Sequence, residues 1–377
     1  MKIIISGGGT GGHIFPAIAI ANAIKAKHPE AEILFVGANG RMEMEKVPAA
    51  GYRIEGLNIA GFQRRLTWKN LTFPFKLWKS LQRAKKIIKE FKPDVVIGVG
   101  GYASGPTLQM ATKLGIPCLV QEQNSYPGIT NKILSKKVQK ICVAYDGMEK
   151  FFPSEKIVFT GNPIRQDISD LANKRDEATK YFGIDPTKKT LLVIGGSLGA
   201  RTINESLSAM LSGQHRGKAL DLQVIWQTGK NFVEFRDFVE ALDGGRRSQR
   251  FTKHHITQFI TRMDLAYSLA DFIVSRAGAL SISELCVVGK PAILIPSPNV
   301  SEDHQTKNAM ALVNKNAALL IRDNETVEKL LPYTIELINN EDKIKELQKN
   351  ILEFAKPDAD VVIAGQVLGL AKGDNRK

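Results

Sequence analysis

Short apolar runs ending in glycine alternate with longer stretches of helical spacing along most of this chain. Lys2–Ser6 reads as a buried strand, and Ile14–Lys27 follows it with Ile and Ala at helical intervals. Glu32–Val36 and Asp94–Val99 predict further strands, the latter leading through a glycine loop into a helix over Gly105–Leu114. Pro117–Gln121 and Lys140–Ala144 complete the strands of a first half. The pattern breaks at Thr160-Gly161-Asn162-Pro163, where proline interrupts helix and sheet alike. It then restarts with a strand at Thr190–Ile194, a glycine loop over 195–199 and a helix at Thr202–Leu211. Strands are expected again at Leu222–Gln227, His255–Phe259, Phe272–Ser275, Ala292–Ile295 and Ala318–Ile321. Such alternation predicts parallel, doubly wound sheets. The expected α/β fold is two Rossmann-like domains, 1–162 and 163–357, facing across a cleft with a hinge near 161–165. A final helix, 358–372, is expected to return to the first domain, and the polar tail beyond it to fray.

A length of 377 residues suits two such cores. No stretch approaches the roughly 18 consecutive apolar residues of a membrane span, and Met1–Ile5 is too short an apolar run for a signal peptide. The three cysteines, Cys118, Cys142 and Cys286, lie far apart in apolar surroundings, as buried thiols of a reducing compartment would. These features predict a soluble intracellular protein. The net charge of +14 is the unusual bulk property and favours a polyanionic partner. Residues 62–92 mix Trp68, Phe73, Phe75 and Trp78 with many bases and few acids. That composition suits a segment lying on anionic lipid, and equally a core helix with a basic outer face. Helix-turn-helix, zinc-finger and RNP signatures are missing and the bases form no single arm, which disfavours nucleic acid.

Three glycine loops follow predicted strands: Gly7–Gly12, Gly98–Gly105 and Gly195–Gly199. The first fits the G-x-G-x-x-G dinucleotide spacing, yet the second strand ends Val36-Gly37-Ala38-Asn39 without the carboxylate that a ribose would need. A P-loop is excluded because no Lys-Ser/Thr pair follows. His13 follows instead, at the mouth of a helix, as a candidate base or hydrogen-bond donor or as an incidental cap. Gln121-Glu122-Gln123-Asn124 forms a polar cluster at a strand's carboxyl end, where doubly wound sheets bind ligands. Glu284, on the first turns of the helix after Ser275–Gly278, is placed to accept ribose hydroxyls while nearby amides take up a diphosphate. The alternative is a carboxylate that merely favours the helix start. His304, Gln305 and Asn308 suit sugar hydroxyls or an exposed helix start.

Six motifs fall in one order along nearly the whole chain. They are Gly8-Gly9-Thr10-Gly11-Gly12-His13, Gly100-Gly101-Tyr102-x-Ser104-Gly105-Pro106, Glu122-Gln123-Asn124, Gly161-Asn162-Pro163-x-Arg165, Gly195-Gly196-Ser197-x-Gly199-Ala200 and Arg276-x-Gly278-Ala279-Leu280-x-x-x-Glu284. Together they resemble the MurG-type transferases of peptidoglycan synthesis. The resemblance implies a GT-B architecture and transfer of N-acetylglucosamine from UDP-GlcNAc to undecaprenyl-pyrophosphoryl-MurNAc-pentapeptide. It implies inversion to a β-1,4 link. The acceptor hydroxyl then needs a base, for which His13 and Glu122 are the candidates, and no cofactor is expected. The donor would lie mainly on the second domain, held by Ser197, Ala279, Leu280, Ser281, Ile282, Ser283, Glu284 and Gln305. Glu284 would take the ribose, and Ile260 would present backbone atoms to the uracil. Thr10, Gly11, Gly12, Asn124 and Arg165 would complete the site from the first domain and the hinge. The family often has two glutamines where this chain has His304-Gln305, so only Gln305 carries over. An acid-x-acid metal motif occurs only at Asp358/Asp360, away from every glycine loop, and no metal is expected. A lipid-linked acceptor favours the membrane reading of 62–92 and a cytoplasmic protein peripheral to the inner face of the plasma membrane. The competing readings are another GT-B enzyme of UDP-sugars, a glycolipid transferase or an epimerase.

Overall fold

A computed structural model describes residues 1–59, 73–168, 170–211, 222–232 and 254–373. The chain divides into two compact units, Met1–Ile164 with Lys356–Lys377, and Arg165–Ala355.

The first unit is built on seven parallel strands: β1 (Lys2–Ser6), β2 (Glu32–Ala38), β3 (Arg53–Leu57), β4 (Val95–Gly98), β5 (Cys118–Glu122), β6 (Lys140–Val143) and β7 (Ile157–Phe159). Their order in the sheet is β3-β2-β1-β4-β5-β6-β7. Alternate side chains of a strand face opposite sides, so the Ile3-Ile4-Ile5 run feeds two cores. Ile3 and Ile5 pack with Ile20 and Ile24 of α1 (Gly11–Lys27) and with Ile363 and Val367 of the C-terminal helix Ala359–Lys372. Ile4 packs with Ile87 and Ile88 of the helix Phe73–Phe91 and with Leu108 of Ser104–Lys113.

The strands β3 and β7 were not expected. They are the two edges of the sheet, and their residues (RIEGL and IVF) are mostly half-exposed or exposed. An edge strand buried on few sides lacks the unbroken apolar run that marks a central one.

The second unit repeats the plan with β8 (Lys189–Ile194), β9 (Leu222–Gln227), β10 (His255–Thr257), β11 (Phe272–Ser275), β12 (Ala292–Leu294) and β13 (Leu319–Leu320). These strands lie in the order β10-β9-β8-β11-β12-β13. Leu191, Val193 and Trp226 pack against Ile203 and Leu207 of the helix Arg201–Leu211 and against Leu330 and Leu337 of Thr326–Asn339. In both units the first strand is flanked on one side by the second and on the other by the fourth. Strand order therefore reverses beside β1 and beside β8, the position where doubly wound sheets bind ligands at their carboxyl ends.

Candidate active site

In the first unit the carboxyl ends of β1 and β4 carry two glycine loops that touch each other. A Cβ on Gly101 would stand 2.1 Å from the Gly8 carbonyl oxygen, so the backbones meet where no side chain fits. Gly8 itself has φ +146°, and a Cβ there would strike the Glu43 carboxylate at 2.2 Å. Glu43 is the residue that sequence reasoning missed. It begins α2 (Glu43–Ala49), is buried, and accepts from the Gly9 amide at 2.8 Å and from the Ala38 amide at 2.9 Å. A carboxylate does reach the end of β2, but it spends itself on backbone amides. The Gly9 N–H is thus already donated to a carboxylate of the protein. What remains for a ligand is the start of α1, where Thr10 makes no side-chain cap and no acid occupies the first turn. Thr10, Gly11 and Gly12 sit there, with the unpaired-amide character of a helix N-terminus.

His13 lies on that first turn, half-exposed, with Nδ1 3.1 Å from Gln123 Oε1. Its ring rests on the second glycine loop, where a Cβ on Gly100 would approach the ring Cε1 to 2.7 Å. Glu122, the other candidate base, ends β5 fully buried. Its Oε1 accepts from the Asn124 amide at 3.0 Å and from Asn124 Nδ2 at 3.2 Å. Its Oε2 accepts from the Gly128 amide at 3.2 Å and from Asn131 Nδ2 at 2.8 Å. Burial pushes this carboxyl above its ordinary range, and the four donors pull the other way. With every acceptor direction used inside its own loop, Glu122 anchors residues 124–131, and Asn124 turns its side-chain amide back onto it. The geometry favours His13 over Glu122 as the group that can meet a substrate proton.

In the second unit the Gly195–Ala200 loop follows β8, and Gly199 (φ +87°) lies against the Thr228–Gly229 backbone. The Ser197 and Leu198 carbonyls accept from the Lys230 and Asn231 amides, which leaves the Ser197 side chain on the exposed rim. After β11, the helix Ala279–Val288 starts at Gly278 without a side-chain cap. Its opening amides belong to Ala279, Leu280 and Ser281. Ile282 departs from expectation: its side chain is in the core and its N–H goes to the Gly278 carbonyl at 2.9 Å. Ser283 Oγ is likewise turned inward, donating to the Ala279 carbonyl at 3.0 Å.

Glu284, one turn further on, accepts from Arg165 Nε at 2.8 Å and from Tyr267 Oη at 3.0 Å. Arg165, expected at the hinge, is the first residue of the second unit and pairs within it. Burial would lower the guanidinium, but the Glu284 charge and hydrogen bond outweigh it and hold it raised. Burial, then Glu284, pushes the Tyr267 hydroxyl well above its ordinary range, so it stays a donor. A carboxylate accepts about four hydrogen bonds, so Glu284 keeps capacity for a vicinal diol while its two protein partners hold it. Ile260 is buried and gives its N–H to Gln227 Oε1 at 3.0 Å. Gln305 Oε1 accepts from the Ser297 amide at 2.8 Å, so its NH2 is what it has to offer. It follows a turn with two successive non-glycine residues of positive φ, Glu302 (55°) and Asp303 (51°), a backbone form that costs free energy and clusters at functional loops. Arg276 bonds the Ile295 and Pro296 carbonyls at 3.2 Å each and also Asp323, tying the ends of β11 and β12 together.

Asp358 precedes the C-terminal helix of the first unit and Asp360 is buried within it. Among the described residues, no group of three His, Cys, Asp or Glu is placed to hold a metal ion.

Residues 3–143 match the glycosyltransferase family 28 N-terminal domain, and residues 190–362 match the glycosyltransferase family 28 C-terminal domain. The chain belongs to glycosyltransferase family 28. Over 371 residues it is 57% identical to the UDP-N-acetylglucosamine--N-acetylmuramyl-(pentapeptide) pyrophosphoryl-undecaprenol N-acetylglucosamine transferase of Phocaeicola vulgatus, covering 98% of this chain and 96% of that one. A crystal structure of Acinetobacter baumannii MurG superposes with a TM-score of 0.78 at 28% identity, covering 97% of this chain and 99% of that one. A UDP-GlcNAc 2-epimerase from Neisseria meningitidis bound to UDP-GlcNAc has a TM-score of 0.66 at 14% identity, covering 98% of this chain and 100% of that one. That last likeness shows the fold alone. As a family 28 member, the chain has the GT-B architecture of two Rossmann-like domains, and each matched domain coincides with one of the two sheets.

Proposed function

We propose that this chain transfers N-acetylglucosamine from UDP-GlcNAc to the lipid-linked MurNAc-pentapeptide, forming a β-1,4 link with inversion and turning lipid I into lipid II. The observation that carries the proposal is 57% identity, over almost the full length of both chains, to a transferase of that name. In this reading the second unit holds the donor, with Glu284 on the ribose diol and the Ile260 carbonyl on the uracil. His13 removes the proton from the acceptor hydroxyl, whose oxygen attacks the anomeric carbon as the bond to UDP breaks. The negative charge gathering on the diphosphate is met by the first-turn amides of Ala279–Ser281 and by the Ser197 loop. Incubating the purified protein with UDP-GlcNAc and the lipid-linked muramyl-peptide tests the reading. Disaccharide–lipid product supports it, whereas hydrolysis or epimerisation of UDP-GlcNAc without transfer overturns it.

The acceptor's lipid gives the basic helix a task. Residues 62–72 of the expected membrane segment lie outside the described residues, but the rest is the helix Phe73–Phe91. Its Ala84, Ile87 and Ile88 are buried in the core. At its start Phe75 and Trp78 are 57% and 56% exposed and stack at 6.2 Å, with Lys79 Nζ 4.4 Å over the Phe75 ring. Two exposed aromatics beside Lys76 and Lys79 suit the headgroup zone of an anionic leaflet, where each base contributes about 1 kcal/mol. No described helix is long and apolar enough to cross a membrane, so attachment at the cytoplasmic face would be peripheral. The protein is expected to co-sediment with anionic but not neutral vesicles. Reversing the charge of Lys76, Lys79, Lys85 and Lys86 should release it, and binding that survives this change removes the helix as anchor.

A further inference from the structure

A chain of buried amides runs from the end of the first unit's sheet to His13, and its direction is determined from both ends. A backbone carbonyl can only accept. Gln123 Nε2 lies 2.8 Å from the Val99 carbonyl oxygen and must be the donor there. Independently, Asn162 Nδ2 lies 3.0 Å from the Gln123 carbonyl oxygen, which orients the Asn162 amide. The Asn162 Oδ1 then faces Gln121 Nε2 at 2.9 Å, and the Gln121 Oε1 in turn accepts from Gln123 Nε2. The two lines of assignment meet at Gln123 without conflict. Gln121, Gln123 and Asn162 are all buried, so no bulk water competes for these groups. The one remaining polar atom of the Gln123 side chain, Oε1, is the atom 3.1 Å from His13 Nδ1. An amide oxygen has no proton to give. His13 Nδ1 must carry the hydrogen.

We propose that Gln123, oriented by Gln121 and Asn162, is a positioning residue that holds His13 in its Nδ1–H tautomer and makes Nε2 the basic nitrogen. The proposal rests on the reading of His13 as the base. An amide suits this task better than a carboxylate. A carboxylate at the same place would favour the imidazolium and take the base out of action near neutrality, whereas an amide orients the ring without adding charge. The neighbouring carboxylate of Glu122 is turned away onto Asn124, Gly128 and Asn131, so it does not spoil this arrangement. Gly100 serves the same end, since a Cβ there would stand 2.7 Å from the ring Cε1 and 2.8 Å from Nδ1.

Nitrogen-15 NMR of the full chain labelled at its six histidines reads the tautomer directly, with His13→Ala identifying the resonance. The expected result is a protonated Nδ1 and an unprotonated Nε2 for His13 in the neutral form. A wild-type His13 carrying its hydrogen on Nε2 overturns the proposal, and this measurement needs no variant to fold. In Gln123→Leu the tautomer should become mixed and kcat should fall about 10- to 100-fold, with KM for UDP-GlcNAc little changed. An unaltered tautomer in that variant also overturns the proposal. Gln123→Glu should move the acidic limb of the kcat/KM–pH profile upward by about one unit or more and restore turnover at higher pH. A role in packing alone predicts no such movement. If the tautomer is as stated but His13→Ala keeps near-wild-type turnover, the base reading fails while the tautomer assignment stands.

Discussion

Glu43 and Glu122 are buried acids that each close a loop by accepting backbone amides, and of the two only Glu122 stands out in the linear sequence. Glu43 lies 34 positions from the Gly9 amide it holds, a separation that no local pattern reveals. Its replacement by alanine leaves one buried N–H, that of Ala38, and one part-buried N–H, that of Gly9, without this acceptor. Each bond to a charged group contributes roughly 1.5–3 kcal/mol, so Glu43→Ala is expected to lower stability by about 3 kcal/mol. Thermal melting checks this, and an unchanged Tm would show that water replaces the carboxylate. His13 was legible as a candidate because it follows a glycine loop at a helix mouth, but its partner Gln123 was not. At this site His13→Ala should lower kcat by two orders of magnitude or more while the affinity for UDP, measured by titration calorimetry, changes little. Glu284 was visible from its place after β11. Its clamp by Arg165 and Tyr267 was not, since these residues come from three separate segments.

Among elements, the central strands were readable because burial on both faces demands unbroken apolar runs. The edges β3 and β7 were not readable, for the converse reason. The β9–β10 pairing carries a pH dependence that the sequence hides. His254, just before β10, accepts at Nδ1 from the Val224 amide of β9 at 3.2 Å. Burial lowers its pKa from 6.5 to about 4. A folded-state pKa below the unfolded one means that the stability due to this residue is present above about pH 6.5 and lost as pH falls toward 4. Protonation would turn Nδ1 into a donor facing another donor. The loss corresponds to about 3 kcal/mol. Comparing melting curves between pH 7 and pH 4 for the wild type and His254→Asn checks it, the variant being expected to show the shallower decline. Parallel declines would assign the acid sensitivity elsewhere.

At the scale of the whole molecule, the first unit is discontinuous in sequence. Ile363, Ala364 and Val367 of the C-terminal helix fill the core beneath β1 and α1. Burying three such side chains contributes on the order of 5 kcal/mol, comparable with the net stability of a domain. A fragment of residues 1–164 is therefore expected to lack a cooperative melt, and one joining 356–373 to it to regain the transition. The fragment 165–355 should fold by itself and bind UDP, as calorimetry would show, since Glu284, Arg165 and Tyr267 all lie within it. Failure of 165–355 to bind would move part of the donor site to the other unit.

The sequence by itself determined the two parallel sheets, the three glycine loops and the family, because buried strands and tight turns impose local rules on residue type. The tertiary structure alone decided which polar groups serve a ligand and which serve the protein. Gly9 and Ile282 give their amides to neighbours and Glu122 is consumed by its own loop, while Glu284 keeps acceptor capacity. These outcomes depend on hydrogen-bond partners brought together from distant segments, and only the folded chain sets those distances.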